Sequence, residues 1–105
     1  MLNTIMKTGI ELIAEERKRQ IEVEGWTSEH DAIHQDEELC YAAKCYIEAP
    51  HIIGVPPSWP WDLNWFKPNP DDRVRELVKA AALIAAEIDR LNFGHLINEA
   101  SKKQE

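Results

Sequence analysis

Four acids at the starts of two helical stretches are the first candidates for chemistry. Glu37 and Glu38 open one stretch, Glu76 opens another, and Asp72 lies one turn before it. If the two stretches pack side by side, these carboxylates converge. Converged carboxylates repel one another unless a hard cation sits among them, and Mg²⁺ takes oxygen ligands and usually bridges to substrate phosphates. The same placement has a plainer use, because acids in a first turn oppose the positive end of the helix dipole. A second group is His30, Asp31, His34 and Glu38. His34 is four residues from both His30 and Glu38, a spacing that suits a transition-metal site on a continuous helix. No second ligand pair stands at a recognised spacing, so the alternative is that these side chains bind backbone in a turn and orient Glu38. The third group is the run WPWDLNWFKP, with Trp59, Trp61, Trp65 and Lys67. Indole faces stack on nucleobases and a lysine meets a phosphate; the competing use of the tryptophans is as the hydrophobic lid of a small core.

The elements that must position these groups are helical. Residues Ala80 to Ala86 read AAALIAA, two turns without a polar side chain, and a helix that is apolar all round is normally buried all round. Asn69 as cap, Pro70 at the first position, and Asp71 and Asp72 beside the dipole mark its start; Arg90 and Gly94 predict its end near Leu91. Asp72, Glu76 and Lys79 can share one face of it. Met1 to Glu24 reads as a long helix whose buried stripe begins as Met6, Ile10 and Ile13 and continues as Arg17, Gln20 and Glu24. A stripe that turns from apolar to polar leaves the core for a polar site or for solvent. Trp26 to Gln35 is a polar connection. A second helix begins near Asp36, buries Leu39, Ala42, Ala43 and Tyr46, and stops at Pro50.

Pro50 to Pro68 is a tryptophan- and proline-rich crossover, longer than most connections, and its aromatic content predicts that it packs down. His95 to Glu105 reads as a polar tail. The expected architecture is one all-α domain over residues 1–105, a helical bundle of three main helices. Three helices leave much of the alanine-rich one uncovered, so a homodimer is expected to complete it.

Composition narrows the function classes. A formal net charge of −7 argues against non-specific nucleic-acid binding, which needs a basic surface, and fits a site that collects divalent cations or a partner with a basic surface. No apolar run is long enough to span a bilayer, and the first residues do not read as a signal peptide. Cys40 and Cys45 are five apart on a helix and point to different sides. They are expected as reduced core residues, which suits a cytoplasmic location.

Taken in order, the motifs resemble a known group. They are Glu16-Arg17 with Gln20, Gly25-Trp26, His30, Glu37-Glu38-Leu39, Ala42-Ala43, Trp59-Pro60-Trp61, Trp65 before Lys67-Pro68, and Arg75 to Ala81. The order resembles small phage and prophage proteins and, more remotely, MazG-like all-α nucleotide pyrophosphohydrolases. In those enzymes an E-E-x-x-E motif on one helix and E-x-x-D on the next hold Mg²⁺, and water cleaves a nucleoside triphosphate to the monophosphate and pyrophosphate. Carried over, the resemblance implies Mg²⁺ on Glu37, Glu38 and Glu76, with Asp72 beside them. It implies catalytic roles for Glu38 and Lys79, and substrate contacts from Gln20, Trp61, Lys67 and Lys79. Tyr41 and Lys79 stand where the third acid and the aspartate belong. Either Asp72, Asp31 or His34 compensates, or Lys79 holds phosphates without metal, or catalysis is lost. The alternative function is a non-catalytic phage accessory protein that binds a nucleotide or a host protein.

Overall fold

The computed structural model describes the backbone of residues 6–24 and 37–103 and the side chains of 6–23 and 37–93. The connection holding Asp31 and His34 lies outside the described residues. Three helices, α1 (Gly9–Glu24), α2 (Glu38–Glu48) and α3 (Arg73–Lys103), are packed together, with 3₁₀ turns at Ala49–His51 and Leu63–Trp65 between α2 and α3. No strand occurs among the described residues. The chain is an all-α domain, and α3 is the element that both other helices pack against. No helix among the described residues is long and apolar enough to cross a membrane.

α1 starts at Gly9, later than the sequence stripe suggests, because Thr8 and Glu11 form a reciprocal capping box. The Glu11 backbone N–H donates to Thr8 Oγ1 at 3.2 Å, and the Thr8 N–H donates to Glu11 Oε1 at 2.9 Å. Two orphan donors of the first turn are thereby satisfied. The apolar start of the expected stripe is not its buried end, although Ile13 is half-buried. Met6 and Ile10 are 71% and 81% exposed, whereas Glu16, Arg17 and Gln20 are buried. The polar side chains go inside because they find charged partners on α3; Met6 and Ile10 find nothing to pack on among the described residues.

α2 follows its sequence pattern. Leu39, Ala42, Ala43 and Tyr46 are buried, together with Cys45. Its first residue is preceded by Glu37 in the left-handed region, φ 58°, with no side-chain cap. A non-glycine residue there costs roughly 1 kcal/mol, so local sequence does not explain this start. At the other end Arg73 donates to the carbonyls of Tyr46 at 3.2 Å and Ile47 at 2.8 Å. A cation on the last carbonyls of a helix satisfies orphan acceptors and opposes the dipole. Cys40 is exposed, not in the core as expected, and both thiols are free.

The crossover packs down as its tryptophans predict. Trp59 and Phe66 join Tyr46 of α2 in one aromatic cluster, with ring centroids 5.0 to 5.7 Å apart. Edge-to-face and tilted contacts at that range are favourable beyond the area they bury. Two hydrogen bonds fix the loop further: Trp59 Nε1 to the Asp62 carbonyl at 2.9 Å, and the Lys67 N–H to Tyr46 Oη at 3.1 Å.

α3 starts with Asp72, not Asn69, as its cap: Asp72 Oδ1 accepts the Arg75 N–H at 3.0 Å. It also runs through Gly94 to Lys103 and does not stop near Leu91. A glycine inside a helix costs only about 1 kcal/mol against alanine, which the neighbouring helix-forming residues can bear.

Candidate functional site

A cleft of about 510 Å³ opens between α1, α3 and the crossover. Its walls are of two kinds. Tyr46, Trp59, Trp61 and Trp65 supply aromatic surface, and Arg19, Lys67, Arg75 and Lys79 supply charge, with Glu16 as the lone carboxylate among the described lining residues. Four cations against one acid stand out in a chain of formal net charge −7. All four residues expected to touch substrate, Gln20, Trp61, Lys67 and Lys79, line this one cleft.

Glu16 organises the charged wall. Arg19, three residues on, grips it with Nε and Nη2, each at 2.8 Å. Arg75 reaches across from α3 and places Nη2 2.7 Å from Oε1. Burial alone would raise the Glu16 carboxyl, but the hydrogen bonds and charges of Arg19 and Arg75 outweigh it and hold it below the ordinary value. Glu16 is therefore ionised at neutral pH and accepts only. That fixes the neighbouring amide: Gln20 turns Nε2 toward Glu16 Oε2 at 3.3 Å, and its buried Oε1 has no hydrogen-bond partner among the described residues. The sequence stripe named Arg17 and Gln20 but passed over Glu16 and Arg19, which lie beside them. Arg17 is buried along the same contact and pairs with Asp89 at 3.4 Å.

Lys79 is held over the aromatic cluster. Its Nζ lies 2.6 Å from the Lys67 carbonyl and 5.5 Å from the Tyr46 ring centroid. Lys67 itself is exposed, and its ammonium forms no ion pair among the described residues. Trp65 is 61% exposed, so its ring is open to solvent at the cleft. Trp61 is half-buried and its Nε1 donates to Glu38 Oε2 at 3.0 Å.

The acids expected to hold Mg²⁺ have the following partners among the described residues. Glu38 accepts from Trp61. Glu76, 1% exposed, accepts the Asn69 N–H at 3.1 Å and pairs with Arg73 at 3.4 Å, which ties the end of the crossover to the start of α3. Asp72 caps α3 and Glu37 is exposed ahead of α2. Among the described residues no three His, Cys, Asp or Glu side chains gather as a metal would need. Asp31 and His34 fall outside the described residues. As placed, Glu38, Glu76 and Asp72 each accept a hydrogen bond from a different part of the fold.

Nucleophilic thiol chemistry has no support either. Burial, then the negative charges of Glu87 and Glu37, push the Cys40 thiol up; burial pushes up Cys45, against the Ser58 hydrogen bond. Reactive thiols need the opposite shift.

No protein-family model matches this chain, and no curated protein or solved structure is similar to it.

Proposed function

We propose that the chain is a nucleotide-binding protein, and that the cleft between α1, α3 and the crossover is its site. The observation that carries this reading is the meeting of four cations with exposed and half-exposed indole rings in one cleft of a strongly acidic chain. A planar, hydrogen-bonding group with an attached polyanion is the ligand class that uses both walls. The base stacks on Trp65 beside Trp61, a contact worth roughly 1–3 kcal/mol per base. The phosphates meet Lys67 and Lys79, and Arg75 and Arg19, held on Glu16, add positive charge to the same wall. Gln20 Oε1 supplies an acceptor for a donor on the base or sugar. The cleft volume falls in the range of small-molecule sites.

The Mg²⁺-dependent pyrophosphohydrolase implied by the MazG-like resemblance shares this ligand. It adds a metal on Glu37, Glu38, Glu76 and Asp72, three of which accept hydrogen bonds from Trp61, Asn69 and the first turn of α3. Binding without turnover suits the accessory proteins of phages that the motif order resembles. The test is a thermal-shift screen with ribo- and deoxynucleoside triphosphates in Mg²⁺ and in EDTA, alongside pyrophosphate release. The expected result is stabilisation by at least one nucleotide, retained in EDTA, with no pyrophosphate released. Metal-dependent release abolished by Glu38→Gln would replace this reading with the hydrolase; a folded protein that no nucleotide stabilises would end both.

A further inference from the structure

The side of α3 turned away from the other described elements carries an uninterrupted apolar stripe. Val74, Leu77, Ala81, Ile84, Ile88 and Leu91 recur at alternating spacings of three and four, the seven-residue repeat of a helix–helix seam. Five of them are large aliphatics, 60%, 44%, 44%, 54% and 55% exposed in chain order, and Ala81 is half-buried. The buried residues of α3, Glu76, Val78, Ala80, Ala82, Leu83, Ala86 and Glu87, take up the rest of the circumference, with Ala80 and Glu87 along one edge of the stripe. In a chain whose residues are 30% charged, no charged side chain interrupts this outward stripe over five turns. A solvent-facing helix side is normally its polar one.

We propose that this stripe is the seam of a homodimer, in which α3 packs antiparallel against α3 of a second copy. Three observations select a second copy over another occupant. The repeat is self-complementary: about a two-fold axis between residues 82 and 83, Val74 meets Leu91, Leu77 meets Ile88, and the small Ala81 meets the larger Ile84. Two chains of net charge −7 repel least along a side where neither carries a charge. The exposed fractions amount to roughly 500 Å² of apolar surface per chain, at the upper end of what a monomer shows. Two such stripes remove about 1,000 Å² from water, the threshold for a specific interface. The antiparallel sense opposes the two dipoles and keeps the clustered Asp71, Asp72 and Arg73 of one copy away from those of the other. Arg75, Lys79 and Leu83, the cleft residues of α3, fall on the opposite side of the helix from the stripe at 100° per residue. The two clefts of the dimer therefore face outward, and nucleotide binding and dimerisation fail independently.

Sedimentation velocity with circular dichroism on wild type and Ile84→Glu/Ile88→Glu tests the seam. Wild type is expected at about twice 12.1 kDa, and the double variant as a helical monomer, with dissociation weakened by roughly 100-fold or more, as loss of central anchors produces. The second arm survives a variant that misfolds. In a Cys40→Ser background, Leu77→Cys and Ile88→Cys chains are expected to form a disulfide when mixed, and neither to cross-link alone. A monomeric wild type, whether free or bound to phosphatidylcholine vesicles, overturns the proposal. So does a dimer untouched by the charged pair, or cross-linking of Leu77→Cys to itself.

Discussion

α3 is packed from two sides with opposite chemistry. Against α2 it contributes Ala80, Leu83 and Ala86 to a cluster with Leu39, Ala42, Ala43 and Tyr46, closed by Trp59 and Phe66. Against α1 it presents Arg75 and Asp89, which meet Glu16 and Arg17. The first contact is non-directional and gains stability in proportion to the area it buries. The second is directional and gains little, since buried ion pairs repay their desolvation only with good geometry. What the polar contact provides is position: it sets Arg19, Arg75 and Gln20 on one wall of the cleft, while the apolar contact and its aromatic lid form the other. The cleft thus lies where the two contacts meet, with Leu83, Tyr46 and Trp59 belonging to both the core and its wall.

Substitutions that attack one contact and spare the other break or sharpen this division. The largest effect belongs to Leu83→Ala. Leu83 is 1% exposed and central to the apolar cluster, so its truncation is expected to cost about 3 kcal/mol in urea unfolding. Next comes Glu16→Gln. It leaves Arg19 and Arg75 without their carboxylate, but their side chains are 37% and 35% exposed and recover water. The expected loss is therefore about 2 kcal/mol, below that of a fully buried pair. The same variant changes the pH dependence. Because the folded Glu16 carboxyl is held below its unfolded value, it stabilises the protein above the ordinary carboxylate pKa of about 4.3. That stability is lost as pH falls through the lower folded value. Wild-type and Glu16→Gln stability curves should converge below that range and separate above it; parallel curves would deny the depression.

The smallest effect is at the capping box. Thr8→Ala is expected to cost about 1 kcal/mol, to fray the start of α1, and to leave the cleft unchanged, as amide exchange of the first turn would show.

These contacts were unequally legible in the sequence. α2 could be read because its buried side is apolar at helical spacing, and Leu39, Ala42, Ala43 and Tyr46 are where that spacing puts them. α1 could not, because the residues that go inside are the polar ones. Glu16 is worth burying only because Arg75 waits 59 positions away, and nothing local announces that. The capping box at Thr8 and Glu11 was readable and would have corrected the helix start. The acids at helix starts have the same spacing whether they serve a cation, a cap or a tether. Asp72 as a cap and Glu76 as a tether for Asn69 are choices made by the fold. Gln20, Trp61, Lys67 and Lys79 were legible as candidates because each interrupts a pattern (a polar turn at the end of an apolar stripe, an aromatic in a proline-rich loop, a lysine before an alanine run), and the fold brings all four to one cleft.

The most direct measurement of the central claim is a calorimetric titration of the panel of ribo- and deoxynucleoside triphosphates into wild type, Trp65→Ala and Lys67→Ala. Both residues are exposed and make no core contact, so stability should not change in either variant. Binding of a nucleotide by wild type, weakened about 10-fold or more by loss of the stacking ring at Trp65 and less by loss of one phosphate contact at Lys67, is the predicted result. A nucleotide that binds equally well to all three proteins, or none that binds the folded wild type, would contradict the account.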